Sequence, residues 1–480
     1  MPDVVRVALV LGALGVCLFG IPAILKGNVI SKSDVRSLTH AVCFSLLAAA
    51  IFFLQNKWVA IIAGVPVILF LIAAIEWDWL PGLTLGSRDR DYGLVGSALG
   101  FVAVAYLFFP HKAVIAAALL IVGIGDAAAS VVGRHFGRHP IQAWGSRRTV
   151  EGSLALAVVA FAVSLACFFT TGRLTLHEVG LSTFVGFTTA LIELILPSAI
   201  DNIVIPVWAG FLLLLAEIRG SEIIMNWPLA VIIAAVCAPL FYKLKWLDAP
   251  GSAAAALVAA VAVALGGWTW LLPITVFFSS TSLLTKFKQT DASGRKPRGL
   301  QQVYVNGILP ILPVLGHAVD GRPIWYFLYV GAVAVANADT WSTEVGRLSR
   351  SKPISLRTLG RVPRGISGAM SPLGTVASVC GGVLIGGTVA VVAQPEWQRY
   401  LLFVGIVIGP LGAFIDSLLG AWVQCRYRCG SCDLIGEETT HCGNTGQRVF
   451  GLRGVNNGTV NALANISGMI LAFTLYDYIE

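Results

Sequence analysis

Two stretches of the sequence each place an acidic residue at the end of an apolar run and continue into a loop rich in glycine and arginine. Aligning Asp126 with Asp339 also matches, without a gap, residues 132–134 with 345–347, residues 140–141 with 353–354, and Gly152 with Gly365. Carboxylates hold Mg²⁺, and arginines bind phosphate oxygens through charge-assisted hydrogen bonds. The repeated pattern therefore predicts two sites for a metal ion and an anionic substrate at a membrane surface.

The first stretch is followed by further acids that interrupt or terminate apolar runs. An ionisable group in such a position is costly in a membrane and usually marks function. The residues that we expect to be catalytic in this half are Asp126, Glu151, Glu193 and Asp201. The same pattern predicts that phosphate contacts come from Gly133, Arg134, Arg147, Arg148 and Asn202, with Arg138, Gly137 and Gly145 nearby. The alternative is that the arginines only set the membrane topology and the acids pair with them.

The second stretch has an equivalent set of residues. Its expected catalytic acids are Asp339, Glu344 and Asp416. By position Asp416 corresponds to Glu193, and the Asn456-Asn457 pair to Asp201-Asn202, although this match needs gaps. The expected phosphate and nucleotide ligands are Arg347, Arg361, Arg364, Asn306, Asn456 and Asn457, with Arg350 and Lys352 in the same loop. Across both halves, the expected Mg²⁺ ligands are Asp126, Asp201, Asp339 and Asp416.

A third group of residues has the spacing of a zinc site. Cys429 and Cys432 are separated by two residues, and His441-Cys442 follows nine residues later. Two close cysteines followed by a His-Cys pair can supply four tetrahedral ligands to a structural Zn²⁺. Unliganded thiols, or a redox or catalytic use of the cysteines, are the alternatives.

The composition is that of a polytopic membrane protein. Hydrophobic residues make up 56% of the chain and charged residues only 12%, whereas soluble domains carry about a quarter charged residues. Backbone that spans lipid at this composition must be helical. We predict an all-α protein with about sixteen transmembrane helices in two related bundles, 1–220 and 221–480, separated by the short polar segment 219–227.

The positive charge is distributed asymmetrically between the loops. If the predicted spans are threaded through a bilayer, 26 of the 33 Lys and Arg residues fall in loops on one side. The positive-inside rule makes this side cytoplasmic, so both repeated loops are expected to face the cytoplasm, where nucleotides are found. We therefore interpret the net charge of +8 as topology and not as affinity for nucleic acid. The expected location is a prokaryotic plasma membrane, and the oligomeric state is not determined by the sequence.

No recognised soluble phosphate-binding motif accompanies these loops. The sequence contains no G-x-x-x-x-G-K-[ST] loop and no kinase-type glycine-rich loop with its partner motifs. Any phosphoryl transfer must therefore use a different architecture.

Residues 60–218 resemble the polyprenol kinase family that includes phytol kinase and dolichol kinase. The resemblance lies in the GDAAASVVGRHFGRHPI core, the RRTVEG element and the ELILPSAIDNIVIP segment. Arg148 occupies the lysine position of the family's K-T-x-E-G element, and the match adds Thr149 to the expected phosphate ligands. The family implies CTP as phosphoryl donor, Mg²⁺ as cofactor and a long-chain isoprenoid alcohol as acceptor.

Residues 228–476 resemble the phytyl-phosphate kinase family. The matching segments are SSTSLLTKFK, QQVYVNG, ADTWSTEVG, VPRGISGAMSPLGT, DSLLGAWVQ, the Cys/His loop and NNGTVN. This second resemblance implies phosphorylation of a prenyl monophosphate to the diphosphate. The chain as a whole then resembles a fused salvage enzyme acting on phytol, geranylgeraniol or farnesol.

Two other functions remain open at this stage. A CDP-lipid synthase also combines CTP, Mg²⁺ and a lipid phosphate within a helical bundle, but it releases pyrophosphate. A transporter built from two repeats would also contain acids within its spans, although its polar sites are expected at the membrane midplane rather than at one surface.

Overall fold

The chain is a helical integral membrane protein. The computed structural model describes residues 3–25, 31–77, 79, 92–197, 199–224, 226–287, 299–364, 366–432, 435–437 and 439–480, without the side chains of Glu222, Lys286, Phe287 and His441. The chain divides into two compact units, which are residues 1–239 with 252–260 and residues 240–251 with 261–480. The predicted boundary at 220/221 lies in the polar connection just before this division and remains a prediction about where two activities separate.

The first unit is built mainly from nine helices in the described part of the chain. They are α1 (Asp3–Leu25), α2 (Lys32–Ala50), α3 (Lys57–Glu76), α4 (Gly93–Phe108), α5 (Lys112–Phe136), α6 (Val150–Thr170), α7 (Leu176–Ile195), α8 (Asp201–Arg219) and α9 (Trp227–Lys243), the last of which ends in the second unit. Helices α5 and α6 are joined by a hairpin of β1 (Pro140–Ala143) and β2 (Ser146–Thr149).

The second unit also contains a helix–hairpin–helix order. After α10 (Ala249–Val261), which the two units share, its helices are α11 (Trp268–Phe287), α12 (Leu300–Val303), α13 (Leu309–Asp320), α14 (Ile324–Gly346), α15 (Pro372–Val392), α16 (Pro395–Phe403), α17 (Gly409–Trp422) and α18 (Asn457–Ile479). Strands β3 (Ile354–Ser355) and β4 (Ala369–Met370) pair between α14 and α15. Between α17 and α18 lie β5 (Arg426–Arg428), β6 (Ile435–Gly436), β7 (Thr440–His441), β8 (Asn444–Thr445) and β9 (Gln447–Phe450).

Three helices of the second unit continue through π-helical turns. These turns are Ala262–Gly266 after α10, Tyr304–Ile308 between α12 and α13, and Val404–Ile408 between α16 and α17. A π-turn frequently accompanies a functional site because it widens the helix and redirects side chains. Asn306, one of the predicted ligands, lies within the second of these turns.

The prediction of a helical membrane protein is confirmed. Each of the sixteen predicted spans coincides with a helical segment in the described residues, and twelve helices have the length and hydropathy to cross a membrane. Two more, Gly93–Phe108 and Trp227–Lys243, are apolar but shorter. The total of sixteen spans remains a prediction.

The ungapped alignment of the two loops is only partly right. In the first unit, Thr149 accepts a hydrogen bond from Gly152 N and caps α6, and a Cβ on Gly152 would lie 2.7 Å from Ala129 O. In the second unit Ser371 caps α15 through Gly374 N, and a Cβ on Gly374 would lie 3.0 Å from Ser342 O. Ala129 and Ser342 each lie three residues after the aligned aspartate. The structural counterpart of Gly152 is therefore Gly374.

The alignment fails because the second loop is longer. Asp126 precedes its helix cap Thr149 by 23 residues, whereas Asp339 precedes its cap Ser371 by 32, a difference of nine. The ungapped match holds as far as the strands that begin the two hairpins and fails beyond them. Gly365, the predicted partner of Gly152, lies outside the described residues.

Glycines on α15 allow close helix packing in the second unit. A Cβ on Gly382 would overlap the carbonyl oxygen of Gly405, whereas a Cβ on Gly387 of the same helix would meet no atom within 4 Å. Small residues at such crossings let helix backbones approach closely in membranes. Gly382 therefore brings α15 against the π-turn that leads into α17.

We expect Gly382→Ala to destabilise the protein by about 1–3 kcal/mol, because the added methyl group forces the two helices apart. Gly387→Ala is the matched control, and it should be neutral or stabilise the helix by up to about 1 kcal/mol. Thermal unfolding of both variants in the same detergent checks this expectation. Equal unfolding temperatures for the two variants would contradict the close packing at Gly382.

Candidate functional site

A buried ion cluster lies at the centre of the first unit's site. Arg148 on β2 approaches two carboxylates, with 3.0 Å between its Nη1 and Glu193 Oε1 and an even closer contact between its Nη2 and Asp201 Oδ2. The side chains of Glu193 and Asp201 are only 3% and 1% exposed. Burial lowers the pKa of Arg148, but the negative charges of Asp201 and Glu193 raise it by more, so the net shift is upward. The arginine is therefore a permanent cation between two acids.

The hairpin that carries Arg148 is shaped by its own turn. Trp144 and Gly145, between β1 and β2, both have positive φ values of 50° and 80°. Two such residues form the tight turn that matches the twist of a β-hairpin, with glycine at the second position. The strands pair in a register that sets Ile141 opposite Arg148, and Thr149 then starts α6.

Close packing of α4 against α8 fixes the position of Asp201. Cβ atoms on Gly96 and Gly100 would overlap the backbone carbonyls of Ala199 and Asn202, so only glycines permit this contact. Asn202 Nδ2 donates to Gly93 O at 3.0 Å. This contact holds the first turn of α8, which begins at Asp201, against α4. Asp201 and Asn202 therefore lie in ordered helix.

Two buried polar atoms of this cluster have no hydrogen-bond partner among the described residues. They are Arg148 Nε, a donor, and Asp201 Oδ1, an acceptor. Buried polar groups are nearly always hydrogen-bonded, so each exception calls for an explanation. A donor and an acceptor of this kind fit a bound phosphate oxygen and a cation or its water, respectively.

Two side chains that the sequence analysis did not select also belong to this site. His40 Nδ1 on α2 lies 3.2 Å from Asp126 Oδ2, and His40 Nε2 lies 3.5 Å from Ser97 Oγ. Ser153 Oγ, one turn into α6, donates to Glu193. The available signal was that His40 ends the polar segment KSDVRSLTH at the start of an apolar span. A histidine bonded to an acid can accept a proton.

The remaining predicted residues of the first unit are engaged elsewhere. Arg134 pairs with Asp34 on α2, and Glu151 Oε1 lies 2.6 Å from His139 Nδ1 at the base of the hairpin. Thr149 serves as the helix cap, where its hydroxyl accepts from Gly152 N. Among the predicted acids of this unit, Glu193 and Asp201 thus share the arginine, while Asp126 adds a further charge that acts on Arg148.

The second unit brings acids together without an equivalent arginine. Asp416 on α17 is buried, and the negative charges of Asp339 and Glu437 both act on it. Asn461 on α18 can donate its amide to Asp416 Oδ2 at 3.0 Å. Within the described residues, no Lys or Arg side chain forms an ion pair with Asp339 or Asp416. Glu437 was not selected from the sequence, whereas Asn461 was grouped there with Asn456 and Asn457.

The hairpin register explains why the second site lacks this arginine. Ile141 pairs with Arg148 in the first hairpin, and the aligned Ile354 pairs with Met370 in the second. Arg148 and Met370 each directly precede the residue that caps the following helix. An apolar methionine therefore stands where the first unit has its buried cation, and the second acid group needs a cation from another source.

The basic loop of the second unit lies mostly at the surface. Arg347 and Arg361 are exposed, and Arg364 donates to Arg350 O at 3.2 Å. Glu344 is half-buried. The predicted asparagines mostly support helix geometry, since Asn456 caps α18. Asn457 O accepts from the amide of Asn461, and Asn306 Oδ1 accepts from Asn465, 3.2 Å away.

The predicted zinc ligands also come together, so far as they are described. The sulfur atoms of Cys429, Cys432 and Cys442 all lie within 4.8 Å of one another. The side chain of His441, the fourth predicted ligand, lies outside the described residues. Cys425, which precedes this group, is buried.

Comparison with known families matches one half of the chain. Residues 232–469 match the family described as Integral membrane protein DUF92. An uncharacterised membrane protein of Methanocaldococcus jannaschii is 27% identical over 272 residues, which is 54% of this chain and 98% of that protein.

Two relatives carry names that state an activity. A protein of Synechocystis named phytol kinase is 28% identical over 190 residues, covering 38% of this chain and 81% of that protein. A protein of Saccharomyces cerevisiae named dolichol kinase is 30% identical over 167 residues, covering 31% of this chain and 30% of that protein. No solved structure matches the chain significantly.

We expect Arg148→Met to destabilise the protein by about 3–5 kcal/mol, since it leaves two buried carboxylates without their cation. Adding Glu193→Gln and Asp201→Asn should recover most of this loss. Arg147→Met changes the exposed neighbour on the same strand and should stay within about 0.5 kcal/mol of the parent protein. Thermal unfolding in detergent measures all three variants, and a stable Arg148→Met protein would overturn the ion cluster.

Proposed function

We propose that the chain is a bifunctional CTP-dependent kinase of isoprenoid lipids. The first unit phosphorylates an isoprenoid alcohol such as phytol, geranylgeraniol or farnesol, and the second unit phosphorylates the resulting monophosphate to the diphosphate. The relatives named phytol kinase and dolichol kinase support phosphorylation of a lipid alcohol. The helical membrane architecture supports an acceptor whose apolar tail lies in the bilayer.

The observation that carries the proposal is the chemical difference between the two acid sites. In the first unit, Asp126 bonds His40, and Arg148 is buried between two carboxylates. In the second unit, Asp339 has no histidine partner within the described residues, and Met370 occupies the position of Arg148. Within the described residues, the first site has a histidine–aspartate pair as proton acceptor and the second site has carboxylates without a histidine, which fits an alcohol acceptor followed by an acceptor that is already an anion.

In the first reaction the hydroxyl oxygen of the prenol attacks the γ-phosphorus of CTP. The new bond joins the alcohol oxygen to phosphorus, the bond between phosphorus and the β,γ-bridging oxygen breaks, and CDP leaves. The hydroxyl proton passes to the His40–Asp126 pair. General-base assistance of this type contributes about 10²–10⁴-fold to rate. Arg148 Nε, which has no hydrogen-bond partner within the described residues, is available to a phosphate oxygen.

In the second reaction an oxygen of the prenyl monophosphate attacks the γ-phosphorus of another CTP, again releasing CDP. A phosphate oxygen that is already ionised has no proton to lose, so no base is required. The difficulty is the approach of two anions, which cationic groups relieve. The 342–370 loop, which follows Asp339 in the sequence, contains six Lys and Arg residues, against four in the 132–150 loop of the first unit.

Magnesium is the expected cofactor at both sites, and the donor set fits it. Asp126 and Asp201 in the first unit, and Asp339 and Asp416 in the second, offer the carboxylate oxygens that Mg²⁺ prefers. Asp201 Oδ1 is buried with no partner in the described part of the chain, and Asp416 lies beside other negative charges. When bound, the ion supplies charge neutralisation on the phosphates. We propose that both basic loops face the cytoplasm and its nucleotides.

Separate substitutions in the two units test the proposal. Purified protein in detergent is given CTP labelled at the γ-position, Mg²⁺ and either geranylgeraniol or geranylgeranyl monophosphate. Asp126→Asn should abolish formation of the monophosphate and leave phosphorylation of added monophosphate intact. Asp339→Asn should do the reverse, so that monophosphate accumulates from the alcohol.

Other products would assign other functions. A CDP-lipid with release of pyrophosphate would make the protein a CDP-lipid synthase. Uptake of a lipid phosphate or anion into liposomes, without chemistry, would make it a transporter. The absence of both mono- and diphosphate with phytol, geranylgeraniol and farnesol would reject the kinase.

Substitution of His40 gives a sharper test of the proposed reaction in the first unit. We expect His40→Gln to lower the rate of alcohol phosphorylation by about 10²–10⁴-fold because the proton acceptor is lost. The rate with added monophosphate should not change. His177→Gln, an exposed histidine on α7, is the control and should leave both rates unchanged. A full alcohol kinase rate in His40→Gln would remove the histidine from the mechanism.

A further inference from the structure

The geometry points to a structural Zn²⁺ site in the loop between α17 and α18, with three cysteine thiolates as ligands. The three are Cys429, Cys432 and Cys442. His441, whose side chain lies outside the described residues, remains the fourth ligand that the sequence predicts. We further infer that this site orders the β5–β6–β9 sheet, which contacts the basic loop of the second unit. The ordering role of the metal rests on the proposed function, whereas metal binding itself does not.

The spacing of the sulfur atoms is that of thiolates around one ion. Zn–S distances of about 2.3 Å in a tetrahedral site place neighbouring sulfurs about 3.8 Å apart. Cys432 Sγ and Cys442 Sγ are separated by 3.9 Å, and all three sulfurs lie within 4.8 Å of one another. A disulfide would require a separation of about 2.05 Å. The sulfurs are therefore grouped at ligand distance and not at bonding distance.

The backbone at the third ligand is held in a conformation that a cysteine rarely adopts. Strands β7 and β8 pair His441 with Asn444, which leaves Cys442 and Gly443 as a two-residue turn with φ values of 52° and 76°. Asparagine or aspartate normally precedes the glycine in such a turn. A cysteine at positive φ indicates that the turn serves to aim its sulfur at Cys432 and Cys429.

The elements around the cysteines favour a structural ion over a catalytic one. Cys429 is buried, whereas Cys432 and Cys442 are exposed at the ends of short turns. Their strands have two to four residues each, and such short strands do not form a stable sheet without support. A closed tetrahedral zinc site supplies folding free energy to small segments of this kind.

The zinc loop contacts the basic loop of the second unit. Arg426 on β5 donates to the carbonyl oxygens of Ser367 and Gly420, and Ser367 Oγ lies 2.7 Å from Gln424 Oε1. Arg357 of the basic loop stacks on the ring of Phe450 on β9, at 3.4 Å from the ring centroid. The β5–β6–β9 sheet thereby holds the basic loop in place.

Glu437, at the end of one strand of this sheet, acts electrostatically on the second acid group. Glu437 directly follows β6, and its negative charge acts on Asp416. Glu437 is exposed, and the positive charges of Arg426 and Arg347 act on it. The contacts of Arg426 and Arg357 thus connect the zinc loop to the basic loop of the second unit. Loss of the metal should loosen this connection and leave the first unit unaffected.

The experiment measures metal content and the two activities on the same preparations of the full-length protein. Protein purified without chelator is analysed for zinc by mass spectrometry, and we expect one zinc per chain. Cys432→Ser/Cys442→Ser should reduce zinc at least tenfold, whereas Cys380→Ser, a cysteine of the same unit outside the cluster, should retain it. The alcohol kinase rate of the double variant should remain within twofold of the parent, and phosphorylation of added monophosphate should fall at least tenfold.

The outcomes separate the site from its role. Equal zinc in the parent protein and the double variant, or zinc below one tenth per chain in the parent, overturns the zinc site whether or not the enzyme is a kinase. Iron in place of zinc, or a Cys432–Cys442 disulfide found by peptide mass mapping of protein purified with reductant, also overturns it. Bound zinc that is lost in the variant while the monophosphate rate is unchanged supports the site and rejects its link to the basic loop. If neither protein phosphorylates any prenol, the zinc result still stands alone.

Discussion

Carboxylates buried among membrane helices must be neutralised, and this requirement shapes both units. Removing an isolated charge from water costs several kcal/mol even after relaxation, so an unpaired buried acid is rarely stable. In the first unit Arg148 stands between Glu193 and Asp201 and neutralises them from within the chain. The hairpin turn, the glycines of α4, the cap of α6 and the contact of Asn202 at the start of α8 all serve to keep these three residues together.

The second unit retains the helix–hairpin–helix framework but lacks the buried positive charge of the first unit. The helix–hairpin–helix order, the glycine contact and the Ser371 cap match the first unit, but Met370 occupies the position of the arginine. Asp339, Asp416 and Glu437 then form an acidic group that must obtain its cation from the basic loop or from a metal ion. This difference is a physical reason for one framework to handle two acceptors of different charge.

The sequence predicted the class of the protein and the position of its helices because hydropathy alone determines them. It also predicted that Glu193 and Asp201 belong to one site, since acids within apolar runs are rarely incidental. It did not distinguish Arg148 from Arg134 as the arginine that pairs with these two acids, because that choice follows from the hairpin register. His40 and Glu437 were missed because they lie far from the acids in sequence. Ser153 was missed although it lies close to Glu151, because its partner is Glu193 on another helix.

The alignment of the repeated loops also shows that residue spacing alone does not identify structural counterparts. Identical spacing up to Pro353-Ile354 reflects a shared strand, but the match of Gly152 with Gly365 arose by coincidence of residue type. The structure assigns Gly374 to this role because the contact with the preceding helix, and not the spacing, is what both units preserve.

Mixing the two inactive variants tests whether the chain holds two independent, consecutive activities. Asp126→Asn and Asp339→Asn proteins are combined in one detergent solution with labelled CTP, Mg²⁺ and geranylgeraniol. Neither variant alone should form the diphosphate. The mixture should form it, because the monophosphate made by one protein is phosphorylated by the other. A mixture that forms no diphosphate, or a single variant that forms it at the parent rate, would contradict the account.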